Sequence, residues 1–262
     1  MSNSPRSRSR RRLSLSWRLS LLLLGAAVLP LVAAVGITNY LTRNSLVAQG
    51  RATLSTYASA RVALLDSYLH ERVLDGGALA SLETAPELLA CEQLPLDQLP
   101  PTLACDAASV RGYVASVARA LVVGTHRDQN YTAWTMYDRG WHLLLSSNPQ
   151  LIATGGMPVP QEDQTPVDQG KPWISGVYDD PKTTHASIYI YYPIVPDIRL
   201  PASATNPVLG ALQATLRLDT VWSIVQDSGK LGANHDGSYA FVTDANGVRI
   251  ADGHANELFT SV

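Results

Sequence analysis

The chain has 262 residues, 46% hydrophobic and 16% charged, which is ordinary for a globular protein carrying an added apolar segment. Its net charge of -2 conceals an asymmetry, because the first acidic residue is Asp66 and six arginines precede residue 19 (Arg6, Arg8, Arg10, Arg11, Arg12 and Arg18). The remaining 14 basic residues face 22 acidic ones, a balance of about -8, which argues against nucleic acid or another polyanion as a partner.

The first predicted element is a transmembrane helix at residues 19–38, a stretch of twenty residues without a charge. At about 1.5 Å per residue it spans the roughly 30 Å hydrocarbon core of a bilayer. The arginines lie before it, so the positive-inside rule predicts a cytoplasmic tail at 1–18 and an extracytoplasmic remainder. A buried core helix is one alternative. A cleaved signal peptide is another, because residues 33–36 are small, but the stretch is long for a signal and favours an uncleaved anchor.

Residues 39–82 are predicted to form a long stalk helix. Apolar residues from Leu54 to Val73 recur at mostly helical spacings, and Gly76-Gly77 weakens the predicted helix near its far end. The stripe fits a simple amphipathic helix or a signalling stalk that also forms a homodimer. It is too irregular to indicate a coiled coil.

The two cysteines, Cys91 and Cys105, flank a proline-rich loop and lie fourteen residues apart. An oxidising compartment would permit a disulfide here, worth on the order of 3 kcal/mol, with two unpaired thiols as the alternative. The chain has no CxxC pair and its six histidines are scattered, so we expect no metal site, and nothing in the sequence predicts a cofactor.

A second helix is predicted at 107–123, followed by a hairpin around Asp138-Arg139-Gly140. Residues 154–171, rich in glycine, proline, glutamine and aspartate, are predicted to be a loop long enough to suspect a function.

Another hairpin is predicted at 170–195, with an acidic turn and five aromatic residues. Residues 208–227 are predicted to form a strand leading into a helix with Asp219 as its N-cap. Residues 237–253 begin a further hairpin with an Asn246-Gly247 turn. This order of elements predicts an α+β fold.

No established catalytic motif occurs: GxSxG, GxxxxGK[ST], HExxH and GxGxxG after a strand are all missing from the sequence. Asp179 and Asp180 would point to opposite faces of a strand and are explained as turn residues before a proline. The serines that a hydrolase could use as nucleophiles lack recognised surroundings (Ser146, Ser175 and Ser187). We therefore do not expect an enzyme, although a membrane-tethered hydrolase and a structural surface protein remain alternatives.

Three segments together resemble the extracytoplasmic double Cache (dCache) sensor domains of bacterial transmembrane receptors. They read "GKPWISGVYDDPKTTHASIYIYYPI", "LGALQATLRLDTVWSIV" and "GSYAFVTDANGVRIADG". The resemblance covers residues 39–262. It implies a membrane-distal PAS-like subdomain at 83–236 and the start of a membrane-proximal one at 237–262. Since no second apolar stretch or output domain follows, the chain looks like a fragment of a longer chemoreceptor, sensor kinase or cyclase, or a truncated product.

The resemblance also implies a ligand pocket in the membrane-distal sheet, walled by the 170–195 hairpin. Tyr178 and Asp180 match a Tyr-x-Asp of amino-acid-binding members. The Arg-x-Trp-aromatic run that normally precedes the hairpin is missing, and Thr215 stands where those members carry a carboxylate. Amino-acid specificity is therefore not implied.

Strand geometry separates the tyrosines of the hairpin, because Tyr189 and Tyr191 face one side and Tyr192 faces the other with Ile188 and Ile190. One set packs on helices and the other faces a pocket, which needs a few aromatic walls and polar groups. The candidate residues that bind an unidentified small extracellular molecule are Tyr178, Asp180, Tyr189, Tyr191, Trp173 and Trp134, with turn formation and core packing as the alternatives, the latter above all for the tryptophans.

Overall fold

The computed structural model describes residues 15–95, 99–156, 158–179, 186–196, 208–226, 241–243 and 249–252. The chain divides into two compact units, Met1–Ser59 and Ala60–Val262. Asp180 and the Asn246-Gly247 turn, both singled out in the sequence, lie outside the described residues.

The predicted membrane and stalk segments belong to one helix, α1 (Leu15–Ala80). Among the described helices, α1 alone is long and apolar enough to cross a membrane, and none of its most apolar window is buried. Leu22, for example, is 74% exposed. This exposure argues against a buried core helix.

The expected weakness at Gly76-Gly77 does not interrupt α1, which continues to Ala80. Gly76 is buried, and the Tyr192 ring lies where a Cβ at position 76 would project. Tertiary packing therefore outweighs the low helix propensity of glycine at this point.

The second unit is built on a five-stranded antiparallel sheet. The strands are β1 (Tyr131–Asp138), β2 (Leu143–Ser146), β3 (Trp173–Asp179), β4 (Ala186–Ile194) and β5 (Gly210–Arg217). Their order across the sheet is β2-β1-β5-β4-β3. Strands β4 and β5 are buried along nearly their whole length, because both faces of the sheet are covered.

One face of the sheet carries the main hydrophobic core, which we call the helix-side core. It receives the end of α1 together with α2 (Thr84–Gln93), α3 (Ala107–Arg127) and α6 (Asp219–Gln226). Leu88 and Leu89 of α2 are almost fully buried there. Asp106 caps α3 by accepting hydrogen bonds from the main-chain N–H groups of Ala108 and Ser109.

The predicted disulfide is confirmed: Cys91 in α2 is bonded to Cys105, just before α3. The bond closes a loop with a sequence separation of 14 residues.

The prediction of a long loop at 154–171 is wrong. α4 (Pro149–Thr154) begins after Asn148, whose side chain accepts a hydrogen bond from the Gln150 N–H. α5 (Gln161–Asp168) follows, and its Val167 is fully buried. A single buried apolar residue holds this polar helix, so no amphipathic period marks it in the sequence.

The last described elements are β6 (Phe241–Thr243) and β7 (Arg249–Asp252), which pair antiparallel as the predicted hairpin requires. A long apolar helix followed by an antiparallel sheet with helices confirms the α+β, PAS-like fold.

Candidate functional site

The face of the sheet opposite the helix-side core carries a second, smaller cluster. The predicted alternation along β4 is confirmed, because Ile188, Ile190 and Tyr192 belong to the helix-side core whereas Tyr189 and Tyr191 lie in the other cluster. That cluster also contains Tyr137, Val159, Val167 and Ala211, with Trp141, Leu143 and Tyr178 packed against it.

A partly open cavity of about 80 Å³, here called the aromatic cavity, lies on this second face. The sheet supplies one wall and the segment between α4 and α5 supplies the other. The lining residues are Tyr137, Leu151, Gly156, Pro158, Val159, Pro160, Tyr178, Tyr189, Tyr191, Gln213 and Thr215.

The register of β4 and β5 explains why Gln213 and Thr215 lie beside the tyrosines. Tyr189 is the cross-strand partner of Thr215, and Tyr191 is the partner of Gln213. Directly paired residues in antiparallel strands point to the same face of the sheet. The four side chains therefore share the cavity side.

The rings that line the cavity contact one another. Tyr178 stacks on Tyr189 with 4.9 Å between centroids, and Tyr189 meets Tyr191 edge-on at 6.3 Å. Trp141 packs edge-on against Tyr191 at 5.9 Å. Such contacts, worth about 0.5–1.5 kcal/mol each beyond burial, give the cavity a preformed wall.

A buried hydrogen-bond chain runs along the sheet wall of the cavity, from β1 through β5 to β4. The Tyr137 hydroxyl donates to Gln213 Oε1 at 3.0 Å, and Gln213 Nε2 donates to the Tyr191 hydroxyl oxygen at 3.1 Å. Since the Tyr191 oxygen accepts this bond, its own proton takes no part in it. Burial raises the pKa of both tyrosines, so both hydroxyls stay protonated at neutral pH.

Asp163 of α5 lies beside the cavity and binds one of its lining residues, Tyr178. Asp163 is not identified from the sequence. Its side chain is 2% exposed and accepts hydrogen bonds from Trp173 Nε1 at 2.7 Å and from the Tyr178 hydroxyl at 2.9 Å. Burial raises the pKa of Tyr178, and the hydrogen bond and negative charge of Asp163 raise it further. Asp163 therefore fixes the orientation of the Tyr178 ring.

The five predicted site residues that the structure describes divide into three groups, and Asp180 lies outside the described residues. Tyr178, Tyr189 and Tyr191 come together in the cavity lining. Trp173 is not a lining residue; it is 39% exposed and donates a hydrogen bond to Asp163. Trp134 lies in the helix-side core, stacked on Tyr192 with 6.0 Å between centroids, and is not brought together with the others.

Three polar residues in or beside the cavity are not identified from the sequence: Tyr137, Gln213 and Asp163. Gln213 gave a usable signal, since it is a polar residue within an otherwise apolar strand, "GALQATLR". Tyr137 gave none, because the face of a β1 residue depends on its register with β5.

A second hollow of about 390 Å³ adjoins the cavity and shares Tyr137, Gly156 and Pro158 with it. Gly155 and Gly156 have φ values of 75° and 72°, a left-handed conformation that favours glycine. This turn lets the chain leave α4 and pass along the cavity.

Comparison with known proteins places the fold. No protein-family model matches the chain, and no curated protein matches it. The sensor domain of the V. cholerae histidine kinase DctB matches with a TM-score of 0.54 and 18% identity, over 84% of this chain and 71% of that one.

Two weaker matches are ligand-binding domains of chemoreceptors. The Pseudomonas aeruginosa PAO1 amino acid chemoreceptor PctC, in complex with GABA, has a TM-score of 0.47 and 14% identity over 79% of this chain and 75% of that one. Campylobacter jejuni Tlp3, in complex with 4-methylisoleucine, has a TM-score of 0.46 and 14% identity over 81% and 74%. The DctB match shows that this chain shares the fold of that sensor domain, in agreement with the resemblance found in the sequence.

Proposed function

We propose that this chain is the extracytoplasmic ligand-sensing part of a membrane-anchored signalling receptor and binds a small molecule in the aromatic cavity. The observation that carries the proposal is a partly open cavity on the sheet face opposite the helix-side core, with aromatic walls and a few hydrogen-bonding groups. Such a mixture is typical of small-molecule sites. The fold shared with the DctB sensor domain supports the same role.

The proposed topology places residues 1–18 in the cytoplasm, 19–38 in the membrane and the rest outside. The arginines before α1's apolar stretch and the exposure of that stretch support this orientation. The disulfide between Cys91 and Cys105 supports it independently, because such bonds persist in oxidising compartments.

The remaining division of the chain is a stalk at 39–82, a membrane-distal subdomain at 83–236 and the start of a membrane-proximal one at 237–262. In this proposal the stalk relays a conformational change and pairs with a second copy of the chain. A ligand can drive that change only if it favours one of two arrangements. Adjacent residues of β4 supply a short route, because Tyr191 lines the cavity and Tyr192 contacts α1.

Two serines that a hydrolase could use as nucleophiles are engaged in structural hydrogen bonds. Ser175 Oγ donates to the Gly176 carbonyl and accepts from the Tyr189 N–H. Ser146 Oγ bonds to Thr135 Oγ1 and accepts from the Asn148 N–H. These contacts favour binding over catalysis at this sheet.

A thermal-shift screen of the full chain in lipid nanodiscs tests the proposal. The panel holds amino acids, organic acids, amines, purines and sugars. A ligand at 100 times its Kd adds about 2.7 kcal/mol to the free energy of unfolding, which raises Tm by several degrees. Tyr191→Phe should abolish the shift, and Tyr113→Phe, on α3 away from the cavity, should keep it. A hit that survives Tyr191→Phe, or no hit at all, would contradict the proposal.

A further inference from the structure

The carboxylate of Asp163 is a buried negative charge without a cationic partner among the described residues. Its side chain is 2% exposed, and both of its described hydrogen bonds come from neutral donors, Trp173 Nε1 and the Tyr178 hydroxyl. Of the ion pairs found in the described part of the chain, none includes Asp163. Buried charges in proteins are usually paired with an opposite charge.

The charge of Asp163 reaches the aromatic cavity. Tyr178, which donates to Asp163 Oδ2, is itself a lining residue. Burial is the main reason that the pKa of Tyr191 is raised, and the negative charge of Asp163 is the next. Two of the four tyrosines that line the cavity, Tyr178 and Tyr191, therefore lie within the electric field of this carboxylate.

The described lining of the cavity carries no positively charged side chain that would attract an anion. Its eleven described residues include no lysine, arginine or histidine. The tyrosine rings present π faces and edges to the interior, and a cation within about 6 Å of a ring centroid is attracted to its face. A carboxylate ligand would meet Asp163 in a poorly screened environment, where like charges repel strongly.

We propose that the aromatic cavity binds a small organic cation, an ammonium group on a short aliphatic body, and that Asp163 is the residue that determines this specificity. The inference rests on the proposed function and names the ligand class of the same site. Asp163 acts through the Tyr178 hydroxyl that it holds and through its field. The ligand is compact, because the cavity volume of about 80 Å³ is well below the roughly 300 Å³ at which sites for drug-sized ligands begin.

Three probes of similar size and different charge test this proposal: n-propylammonium chloride, 1-propanol and sodium propionate. Each is titrated into the full chain in nanodiscs at constant ionic strength, and binding is followed by Tm and by tyrosine and tryptophan fluorescence. We expect propylammonium to bind about tenfold more tightly than either other probe. Asp163→Asn keeps the shape and one acceptor oxygen but removes the charge. The preference should then fall to about twofold or less.

A second variant, Tyr178→Phe, keeps the test valid if Asp163→Asn does not fold. Tyr178→Phe leaves the carboxylate in place and removes only the hydroxyl that joins it to the cavity, so it should weaken propylammonium binding more than propanol binding. The comparison of the three probes on the unmodified chain needs no variant at all.

The proposal is overturned if propionate or propanol binds as tightly as propylammonium, if none of the three binds, or if folded Asp163→Asn retains the preference. These results are distinct from failure of the proposed function. A neutral or anionic hit in the broad panel that is lost in Tyr191→Phe would leave the sensor role standing and remove only the cationic ligand.

Discussion

The hydroxyl of Tyr192 donates a hydrogen bond of 2.6 Å to the main-chain carbonyl oxygen of Arg72, one turn before the place where the Tyr192 ring lies against Gly76. A carbonyl oxygen has two lone pairs and can accept this bond beside its helical one. Tyr192 is the chain neighbour of Tyr191, which lines the aromatic cavity. One strand thus contacts both the cavity and α1.

The first prediction concerns that contact. In Gly76→Ala the new Cβ would lie 2.0 Å from Cζ of Tyr192, so either the ring or the helix must move. Overpacking of this kind costs about 1–3 kcal/mol, more than the roughly 1 kcal/mol gained in helix propensity. We expect a lower midpoint in urea unfolding of the full chain.

Gly77→Ala is the matched control, because a Cβ there would have no neighbour within 4 Å. This substitution should raise the free energy of unfolding by up to about 1 kcal/mol. If the two variants changed stability equally, the ring of Tyr192 would not be packed on α1 as described.

The second prediction concerns Arg72, a buried residue of α1. Its guanidinium forms ion pairs with Asp75 and Asp128 and lies 4.9 Å from the centroid of the Tyr68 ring and 5.5 Å from that of Tyr131. A lysine ammonium cannot reproduce the planar, forked geometry. Since the carboxylates are partly exposed, we expect Arg72→Lys to lose about 1–2 kcal/mol in urea unfolding.

Arg119→Lys provides the comparison, because Arg119 is exposed on α3. It should change the free energy of unfolding by no more than about 0.5 kcal/mol. If both variants lost the same free energy of unfolding, the forked geometry of the Arg72 guanidinium would contribute nothing to stability.

The sequence predicts those structural features that a local residue pattern determines. It does not predict features that depend on the pairing of strands distant in the sequence. The alternation along β4 is local, so Tyr189 and Tyr191 were assigned to one face correctly. Trp134 is placed among the candidate ligand-binding residues with Tyr189 and Tyr191, because no sequence pattern relates the faces of β1 to those of β4. Its pairing with Ala214 of β5 puts it in the helix-side core.

Two other errors have tertiary causes. The sequence predicts a loop at α5 because this segment is polar and contains Pro166, yet the buried Val167 and Asp163 fix the helix to the sheet. The weakness at Gly76-Gly77 followed from propensity alone and was overridden by the Tyr192 ring.

The third prediction concerns the disulfide. Reduction of Cys91–Cys105, or the double variant Cys91→Ala/Cys105→Ala, opens a loop of 14 residues between α2 and α3. On the chain-entropy model this lowers the free energy of unfolding by about 3 kcal/mol. Urea unfolding with and without reductant measures the loss. The double variant should show no reductant effect, and an unchanged midpoint on reduction of the native chain would contradict the prediction.

The last prediction concerns alkaline pH. Burial, more than any other cause, raises the pKa of Tyr137, Tyr178 and Tyr191 in the folded chain above the ordinary value of about 10. Above that pH the unfolded chain loses these protons while the folded chain retains them, so the unfolded state binds fewer protons and stability falls as pH rises. The contribution is fully present below about pH 10.

We therefore expect the free energy of unfolding, measured in urea between about pH 8 and 11, to decline steeply only above pH 10. In Tyr137→Phe one of the titrating groups is gone, so the decline should be shallower although the variant starts from lower stability at neutral pH. Absorbance at the tyrosinate band gives a second readout, since ionisation of the buried tyrosines should accompany unfolding. A full tyrosinate signal from chain that is still folded would show that these hydroxyls are open to solvent.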